Sequence, residues 1–378
     1  MAQVNVAILG AGRIAQSMAE TLVKMAADPR YADLVAPYAV AARDGERAAA
    51  FAAQYGFPVS YGSYEELAAD SNVNLVYIAT PHNLHAEQAI LCMRAGKGVL
   101  VEKAFGANAV QTRAMLDASR ETGMLCAEAI WTRYMPSRTM IDDIIASGVI
   151  GEVTAINANL CYPTTAKARI TDPALAGGAL LDVGVYPINF IDMIMHNAPI
   201  ARVESSMRAY ETGVDAHNSM TFYYENGVMA TAQSSILCHS DRMGAVWGTD
   251  GYLTCENINN VASIDVHDGN HQIKAHYDVP PQLTGYEYEV AASAQTMLDG
   301  RRECEAMPHA DTLRIMETHG FATCRLGPDV SIRSLATPPK ILSRRCVSKS
   351  CDACVLGKMK STENRHFSSM PACGLLLI

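Results

Sequence analysis

The chain has 378 residues, of which 49% are hydrophobic and 18% charged, an ordinary balance for a globular protein of about two domains. Its formal net charge of −9 argues against nucleic acid as a partner, because neutralising phosphates requires a basic stripe. The N-terminus lacks the features of a targeting segment, and no apolar run comes near the ~20 residues that span a bilayer. We therefore expect a cytoplasmic protein that contacts neither membranes nor nucleic acid.

The first third of the chain alternates short β-type runs with helical stretches. Strands are expected at 4–9, 38–42, 75–79, 98–101 and 125–127, and helices at 14–26, 46–55, 85–95 and 108–122. Such alternation with short turns is typical of right-handed βαβ units, which build a parallel sheet covered on both faces. We predict an N-terminal, doubly wound Rossmann domain over residues 1–125.

The rhythm changes after about Glu128. Strand-like segments follow at 153–160, 201–210, 219–224, 228–236 and 252–255, with helices at 137–147, 286–298 and 310–317. Glu225-Asn226-Gly227, between two of these segments, has the composition of a hairpin turn. We predict a C-terminal α+β domain, residues 126–335, with an open, mostly antiparallel sheet and helices on one face.

The cysteines divide into two groups. Seven of the eleven are scattered through apolar or helical stretches, which is typical of a reduced intracellular protein. The remaining four crowd into the tail: Cys346, Cys351, Cys354 and Cys373. Their spacing is ferredoxin-like, and His366 offers a zinc set as an alternative. Composition favours a disordered or divergent tail over 336–378, and we expect no metal in the protein.

A dinucleotide fingerprint follows the first strand: Gly10-Ala11-Gly12-Arg13-Ile14-Ala15. Gly10 permits the tight turn, Gly12 lets the backbone approach a pyrophosphate, and Ala15 allows close packing of helix on strand. The following helix offers free N–H groups and a positive dipole to the phosphates. This motif at the first βαβ unit predicts a nicotinamide dinucleotide as cofactor.

The end of the second strand distinguishes NADP from NAD. NAD sites place Asp or Glu there to hold the ribose 2′-OH, whereas this strand ends Ala41-Ala42-Arg43. Arg43 can pair with a 2′-phosphate and stack on adenine, which favours NADP. Asp44, the next residue, leaves NAD as the alternative.

Two segments follow parallel strands, at the sheet edge where ligands bind in open α/β folds. One is Glu102-Lys103-Ala104, and the other runs from Thr80 through His82 to His85. Lys103 should therefore face the cleft. We expect Thr80, His82, His85, Glu102 and Lys103 to line the cofactor, although loop histidines are more often structural.

Asp182 and Tyr186 are four residues apart, hence on one helical face. A carboxylate among apolar neighbours is costly to bury without a partner, and Lys103 is the expected partner. An ammonium near Tyr186 would lower the phenol pKa from ~10 toward neutrality and make it a proton acceptor. The alternative is a structural aspartate with a core tyrosine.

With these residues the sequence resembles the Gfo/Idh/MocA oxidoreductase family, and within it the dihydrodiol and xylose dehydrogenase branch. The resemblance covers about residues 4–318 and is carried by these segments: 41–44, 61–67, 102–103, 128–134, 177–186 and 211–215. It implies a Rossmann domain followed by an α/β domain whose open sheet often forms a dimer interface. A homodimer or homotetramer is therefore expected.

The resemblance also implies site residues: Lys103, Asp182 and Tyr186 for catalysis, with Trp131, Arg133 and Arg169 at the substrate. Many family members carry His where Tyr186 stands, so the tyrosine indicates the diol and xylose branch. Ala104 replaces a proline of the family, which should loosen the turn after Lys103. The family pattern breaks at Thr318-His319-Gly320, just beyond Glu317.

These observations predict an NADP-preferring enzyme that transfers hydride between nicotinamide and a hydroxyl of a sugar, cyclic polyol or trans-dihydrodiol. Tyr186 would accept the hydroxyl proton, Lys103 would lower the pKa of Tyr186 and hold the substrate oxygen, and Asp182 would orient Lys103. Two alternatives stay open: a non-catalytic NAD(P)-sensing regulator of the same fold, and a reductase of ketosugars such as 1,5-anhydrofructose. The intact set of three residues favours an enzyme over a sensor.

Overall fold

The computed structural model of the protein describes residues 3–324. Its first sheet has six strands: β1 (Val4–Leu9), β2 (Val35–Ala41), β3 (Val59–Tyr61), β4 (Leu75–Ile78), β5 (Gly98–Glu102) and β6 (Cys126–Ala129). All neighbours are parallel, in the order β3-β2-β1-β4-β5-β6. Ligands bind such doubly wound sheets where the strand order reverses, here between β1 and β4. The predicted Rossmann-type sheet is confirmed.

Five helices accompany this sheet: α1 (Arg13–Ala27), α2 (Gly45–Tyr55), α3 (Tyr64–Ala69), α4 (His85–Arg94) and α5 (Ala109–Thr122). Three of them begin where a side chain caps the first turn by accepting backbone N–H hydrogen bonds, from Asp44, Ser63 and Asn108. Helix α1 differs, because its cap residue is Gly12 and no side chain caps it. Its first amides therefore stay available at the edge of the sheet.

The second sheet has eight strands: β7 (Val153–Cys161), β8 (Ile200–Ala209), β9 (Asp215–Tyr224), β10 (Met229–Ser235), β11 (Gly244–Gly248), β12 (Gly251–Cys255), β13 (Ser263–Asp268) and β14 (Ile273–Asp278). Their order is β14-β13-β12-β11-β7-β10-β9-β8, and only β7 and β10 pair in parallel. The expected open, mostly antiparallel sheet is confirmed.

Between residues 130 and 324, the structure also contains five α-helices: α6 (Pro136–Ala146), α7 (Ala168–Thr171), α8 (Val185–Met195), α9 (Glu287–Leu298) and α10 (His309–Cys324). Helix α10 continues through Thr318-His319-Gly320, so the prediction that it ends near Glu317 is wrong. The Thr318 hydroxyl donates to the Arg314 carbonyl at 2.9 Å, and His319 is buried, which keeps this part of the helix packed.

Residues 173–195 have the length and hydropathy of a membrane-crossing helix, which corrects the expectation that no stretch comes near this. Their mean hydropathy is 1.4, and 83% of the most apolar part is buried inside the protein. The range includes α8, whose apolar side chains pack into the core beneath the second sheet. Such burial is typical of a core helix.

The predicted tail at 336–378, with its four cysteines and His366, lies outside the described residues. Within the described part, six cysteines are free thiols: Cys92, Cys126, Cys161, Cys238, Cys255 and Cys304. Among these six, Cys238 alone is exposed.

Candidate active site

The loop between β1 and α1 leaves room for a dinucleotide. Gly10 has a φ of +110°, and a Cβ there would lie 2.9 Å from the Ala79 carbonyl oxygen, so glycine is required. A Cβ at Gly12 would meet no described atom within 4 Å. Arg13 and Ile14 begin the uncapped helix beside this open space. The residues present therefore fit the pyrophosphate of NAD(P).

Charged side chains at the end of β2 flank the same loop. Arg43 is exposed. The Asp44 carboxylate accepts hydrogen bonds from the amides of Glu46 and Arg47, at 3.0 and 3.3 Å, and is thus engaged as a helix cap. Arg47 reaches back, with Nη2 2.6 Å from the Ala11 carbonyl oxygen. Sequence reasoning missed Arg47, although its position four residues after Arg43 was a visible signal.

Lys103 lies at the end of β5 and reaches toward the second half of the chain. Its Nζ donates to the main-chain carbonyl of Asp182 at 2.6 Å and lies 4.8 Å from the centroid of the Tyr186 ring. Asp182 belongs to a π-helical turn, Leu180–Gly184, and Tyr186 to the first turn of α8. The three residues expected to act together are therefore adjacent.

The Asp182 carboxylate is held by Arg169. Its Oδ1 accepts a hydrogen bond from Arg169 Nη1 at 2.8 Å. Burial would raise the pKa of Asp182, but the positive charges of Lys103 and Arg169 outweigh it and lower the pKa to about 2. The Lys103 ammonium hydrogen bonds to the Asp182 carbonyl oxygen, while the Asp182 carboxylate pairs with Arg169 and feels the charge of Lys103. The role of this carboxylate in orienting Lys103 stays a prediction.

Tyr186 carries no lowered pKa. It is 9% exposed, and burial raises its pKa well above the usual 10, with the nearby charge of Glu102 adding to the effect. The Lys103 ammonium lies over the face of the ring, in a cation–π contact. The prediction of a phenol pKa near neutrality is therefore wrong, and at neutral pH Tyr186 is a protonated phenol.

The two loop histidines are buried against main-chain carbonyls. His82 Nδ1 lies 3.2 Å from the oxygen of Ala176, and the His85 nitrogens lie 2.8 and 3.0 Å from those of Thr80 and Ala104. Burial lowers the pKa of both rings, that of His82 to about 3. His85, fully buried, tethers two loops, contrary to the expectation that it lines the cofactor. The charges of Asp182 and Lys103 also affect the pKa of His82.

Two buried carboxyls lie behind the lysine. Glu102 accepts hydrogen bonds from the Tyr77 phenol and, at 3.1 Å, from the Lys103 amide. Glu289, on α9, is fully buried, and neither of its oxygens has a hydrogen-bond partner among the described residues. Burial raises the pKa of both carboxyls, that of Glu289 well above 4.5. Sequence reasoning missed Glu289, because a helical glutamate carries no sign of its burial.

The turn after β6 carries two of the predicted substrate residues. Trp131 stacks on Tyr286, with 4.4 Å between ring centroids, and its Nε1 donates to Asn259 at 3.2 Å. Arg133 is buried and bonds to three side chains of α8 and α10: Asn189, Asp192 and Asp311. The expectation that Arg133 contacts substrate is thus corrected, because its guanidinium already joins this turn to two helices.

Two family models match the chain. One, described as "Oxidoreductase family, NAD-binding Rossmann fold", matches residues 4–129. The other, described as "GFO/IDH/MocA C-terminal domain", matches residues 139–254.

Relatives of the chain include three mammalian proteins named trans-1,2-dihydrobenzene-1,2-diol dehydrogenase. The Mus musculus protein is 34% identical over 268 residues, which cover 70% of this chain and 79% of the relative. The Homo sapiens protein is 33% identical over 282 residues, covering 72% and 84%. The Sus scrofa protein is 40% identical over 213 residues, covering 56% and 64%.

Solved structures share the fold. The 3-ketoreductase KijD10 from Actinomadura kijaniata, in complex with NADP and TDP-benzene, superimposes with a TM-score of 0.75 at 24% identity, covering 85% of this chain and 97% of that one. Levoglucosan dehydrogenase, in complex with NADH and levoglucosan, superimposes with a TM-score of 0.75 at 18% identity, covering 85% of this chain and 98% of that one. The matched sequences, the parallel sheet and the open glycine loop together show that the chain belongs to the Gfo/Idh/MocA family of NAD(P)-dependent oxidoreductases.

Proposed function

We propose that the protein is an NADP-preferring enzyme that transfers hydride between nicotinamide and a hydroxyl of a small sugar, cyclic polyol or trans-dihydrodiol. The observation that carries this proposal is the meeting of Lys103, the Asp182–Arg169 pair and the Tyr186 ring beside the end of β5. A protein that only sensed the dinucleotide would have no use for an ammonium and a phenol set together there.

The preference for NADP is supported by the charges around the β1–α1 loop. A 2′-phosphate needs positive groups. Arg43 follows the end of β2, where NAD sites carry an acid, and Arg47 lies in the first turn of α2 with its guanidinium beside the β1–α1 loop. Asp44 is the only acid nearby in sequence before α2, and its carboxylate already caps that helix.

The nicotinamide, when bound, supplies the hydride chemistry. The residues of the chain hold the substrate oxygen and transfer the proton. The Asp182 carbonyl fixes Lys103 in place, which leaves further N–H bonds of the ammonium to hold a substrate oxygen. Tyr186, protonated at neutral pH, can donate its phenol proton when a carbonyl is reduced. In the oxidative direction it must lose that proton first and then accept one from the hydroxyl.

The substrate class is supported by the names of the relatives and by one surface of the site. Trp131 is buried and stacks on the half-buried Tyr286, and an aromatic pair of this kind suits contact with a six-membered ring. Arg169, whose side chain is 46% exposed, can add a polar contact while it holds Asp182. Arg133 takes no part in this proposal.

Lys103→Met tests the proposal, because it keeps the length of the side chain and removes the ammonium. Turnover should disappear while NADPH binding, followed by nicotinamide fluorescence, changes little. The assay screens xylose, glucose, inositol and trans-dihydrodiols with NADP by absorbance of the reduced nicotinamide. Lys24→Met, on the exposed side of α1, serves as the control and should retain turnover. Retained turnover in Lys103→Met would refute the role of the lysine.

A further inference from the structure

Cys161 and Cys238 form a pair of thiols outside the catalytic group. Cys161 is the last residue of β7, and Cys238 lies in the loop that follows β10. The two residues are neighbours, because the Cys161 amide donates a hydrogen bond to Ser240 Oγ, two residues after Cys238, and the charge of Cys238 affects the pKa of Cys161. Cys238 is exposed to solvent, whereas Cys161 is buried.

Backbone contacts hold this pair together. Strands β7 and β10 run parallel in register, with Cys161 opposite Ser235, so the loop after β10 begins beside Cys161. Three hydrogen bonds then tie that loop to β7 and its continuation: Thr164 N to Ile236 O at 3.0 Å, Cys161 N to Ser240 Oγ at 3.2 Å, and Arg242 N to Asn159 Oδ1 at 3.2 Å. These bonds lie on both sides of Cys238. The fold therefore holds these two residues next to each other.

We propose that Cys161 and Cys238 are a site of reversible thiol–disulfide exchange with a low-molecular-weight disulfide, such as oxidised glutathione. Cys238 attacks one sulfur of that disulfide as the thiolate, the disulfide bond breaks, and one glutathione thiol leaves. Cys161 then loses its proton and attacks the Cys238 sulfur, and the second glutathione thiolate leaves and takes up a proton. Two cysteine thiols are oxidised and one glutathione disulfide is reduced.

Exposure decides the order of the two steps. A thiol must reach the incoming disulfide, and only Cys238 faces solvent. Burial raises the pKa of Cys161 to about 11, which makes it a poor first nucleophile. As the second nucleophile it needs no access from solvent, since its target is the neighbouring sulfur.

The test uses the full-length reduced protein and oxidised glutathione. After exposure, free thiols are alkylated and the protein is digested and mapped by mass spectrometry. We expect a cross-linked peptide pair containing Cys161 and Cys238, which dithiothreitol returns to two alkylatable thiols. Recovery of both residues as free thiols, or of Cys238 joined to another cysteine, would overturn the proposal.

Single variants test the order of the steps. Cys161→Ser should accumulate the mixed disulfide of glutathione on Cys238, because the second attack is removed. Cys238→Ser should leave Cys161 free and alkylatable after denaturation. Cys255→Ser, a buried cysteine on β12, is the matched control and should form the cross-link as the wild type does. Glutathione attached to Cys161 in the Cys238→Ser variant would contradict the order. None of these measurements depends on the enzyme's activity.

Discussion

Lys103 contacts the face of the Tyr186 ring, and this geometry affects whether the phenol keeps its proton. An ammonium beside the phenol oxygen would favour the phenolate, whereas one over the ring face favours it far less. Burial then dominates and keeps the phenol protonated. Under the proposed function, substrate oxidation begins with the less populated, deprotonated form of Tyr186.

The pH dependence of oxidation follows from this. Below the raised pKa of Tyr186, the phenolate fraction grows about tenfold per pH unit, so kcat/KM for oxidation should rise from neutral into alkaline pH. Tyr186→Phe should lower the rate by roughly 10²–10⁴-fold and abolish this rise. Tyr224→Phe, at another buried tyrosine, should keep the wild-type profile. Rates of substrate oxidation across pH settle the matter, and a plateau beginning near neutrality would contradict the assignment.

The buried Glu289 should make the protein less stable as the pH rises, whereas a carboxylate in an ion pair makes a protein less stable as the pH falls. Its pKa is raised on folding, so between the unfolded value of about 4.5 and the folded value only the folded state keeps the proton. Stability from this group is complete at acid pH and is lost as the pH rises toward the folded pKa.

Glu289→Gln should therefore stabilise the protein at about pH 8 and have little effect near pH 4, measured by urea denaturation. Glu287→Gln provides a contrast, because Glu287 is also buried but accepts hydrogen bonds from the amides of Leu283, Thr284 and Gly285. That variant should lose about 1–3 kcal/mol at neutral pH. Equal effects of both variants at alkaline pH would contradict the assignment.

At the scale of elements, a network of charged side chains joins the turn after β6 to α8 and α10. Arg133 pairs with Asp192 and Asp311, and Arg314 pairs with the same two carboxylates. Because the group is largely buried, removal of one cation leaves charge that water cannot fully reach.

Arg133→Ala should destabilise the protein by roughly 3–5 kcal/mol and leave KM for the substrate unchanged in the fraction that folds. Chemical denaturation measures the first quantity and steady-state kinetics the second. Arg202→Ala, an exposed arginine paired with Glu204, should change stability by less than about 1 kcal/mol. An increase in KM without loss of stability would restore Arg133 to the substrate site.

Three of the elements that sequence reasoning missed have weak sequence patterns, and each has a physical reason. Strand β3 has three residues, too few to show a period, and α3 has six. Strand β11 both begins and ends with glycine, which depresses β propensity. Yet Gly244 is required there, since a Cβ would lie 2.4 Å from the Phe190 ring. Such a need arises only once α8 packs on the sheet.

The candidate site divides in the same way. Strand ends and the spacing of Asp182 and Tyr186 were enough to predict that these residues meet Lys103. Which atom meets which was not predictable, because the π-helical turn at 180–184 sets the direction of the Asp182 carbonyl. Arg133 was assigned to substrate by resemblance, and its partners on α8 and α10 are known only from the folded chain.

For the whole molecule, the net charge of −9 works against an anionic cofactor. The proposed preference for NADP therefore requires local arginines to attract its extra phosphate. The cytoplasmic location, the absence of nucleic-acid and membrane partners, the domain boundaries and a homodimeric or homotetrameric state stay predictions.

Arg43→Ala should weaken NADP binding roughly tenfold or more, equivalent to about 1.4 kcal/mol, and leave NAD binding nearly unchanged. Added salt should weaken wild-type binding of NADP more than that of NAD, because exposed charges are screened. Titration calorimetry with both dinucleotides at low and physiological ionic strength measures both effects. Arg30→Ala, an exposed arginine paired with Asp28, is the control. Parallel losses for the two dinucleotides would contradict a 2′-phosphate contact.

The lysine's anchor is a peptide oxygen, and such a group cannot be deleted by changing a codon. Replacing Asp182 with any other amino acid moves or removes the carboxylate but still leaves a main-chain carbonyl oxygen at that place in the chain. Side-chain substitutions in the site would therefore reveal the contributions of Lys103 and its charged neighbours. They would not reveal the contribution of the carbonyl oxygen that binds the ammonium. Replacing the amide bond that contains this oxygen by an ester, which weakens the oxygen as an acceptor, would make the contribution of this hydrogen bond measurable.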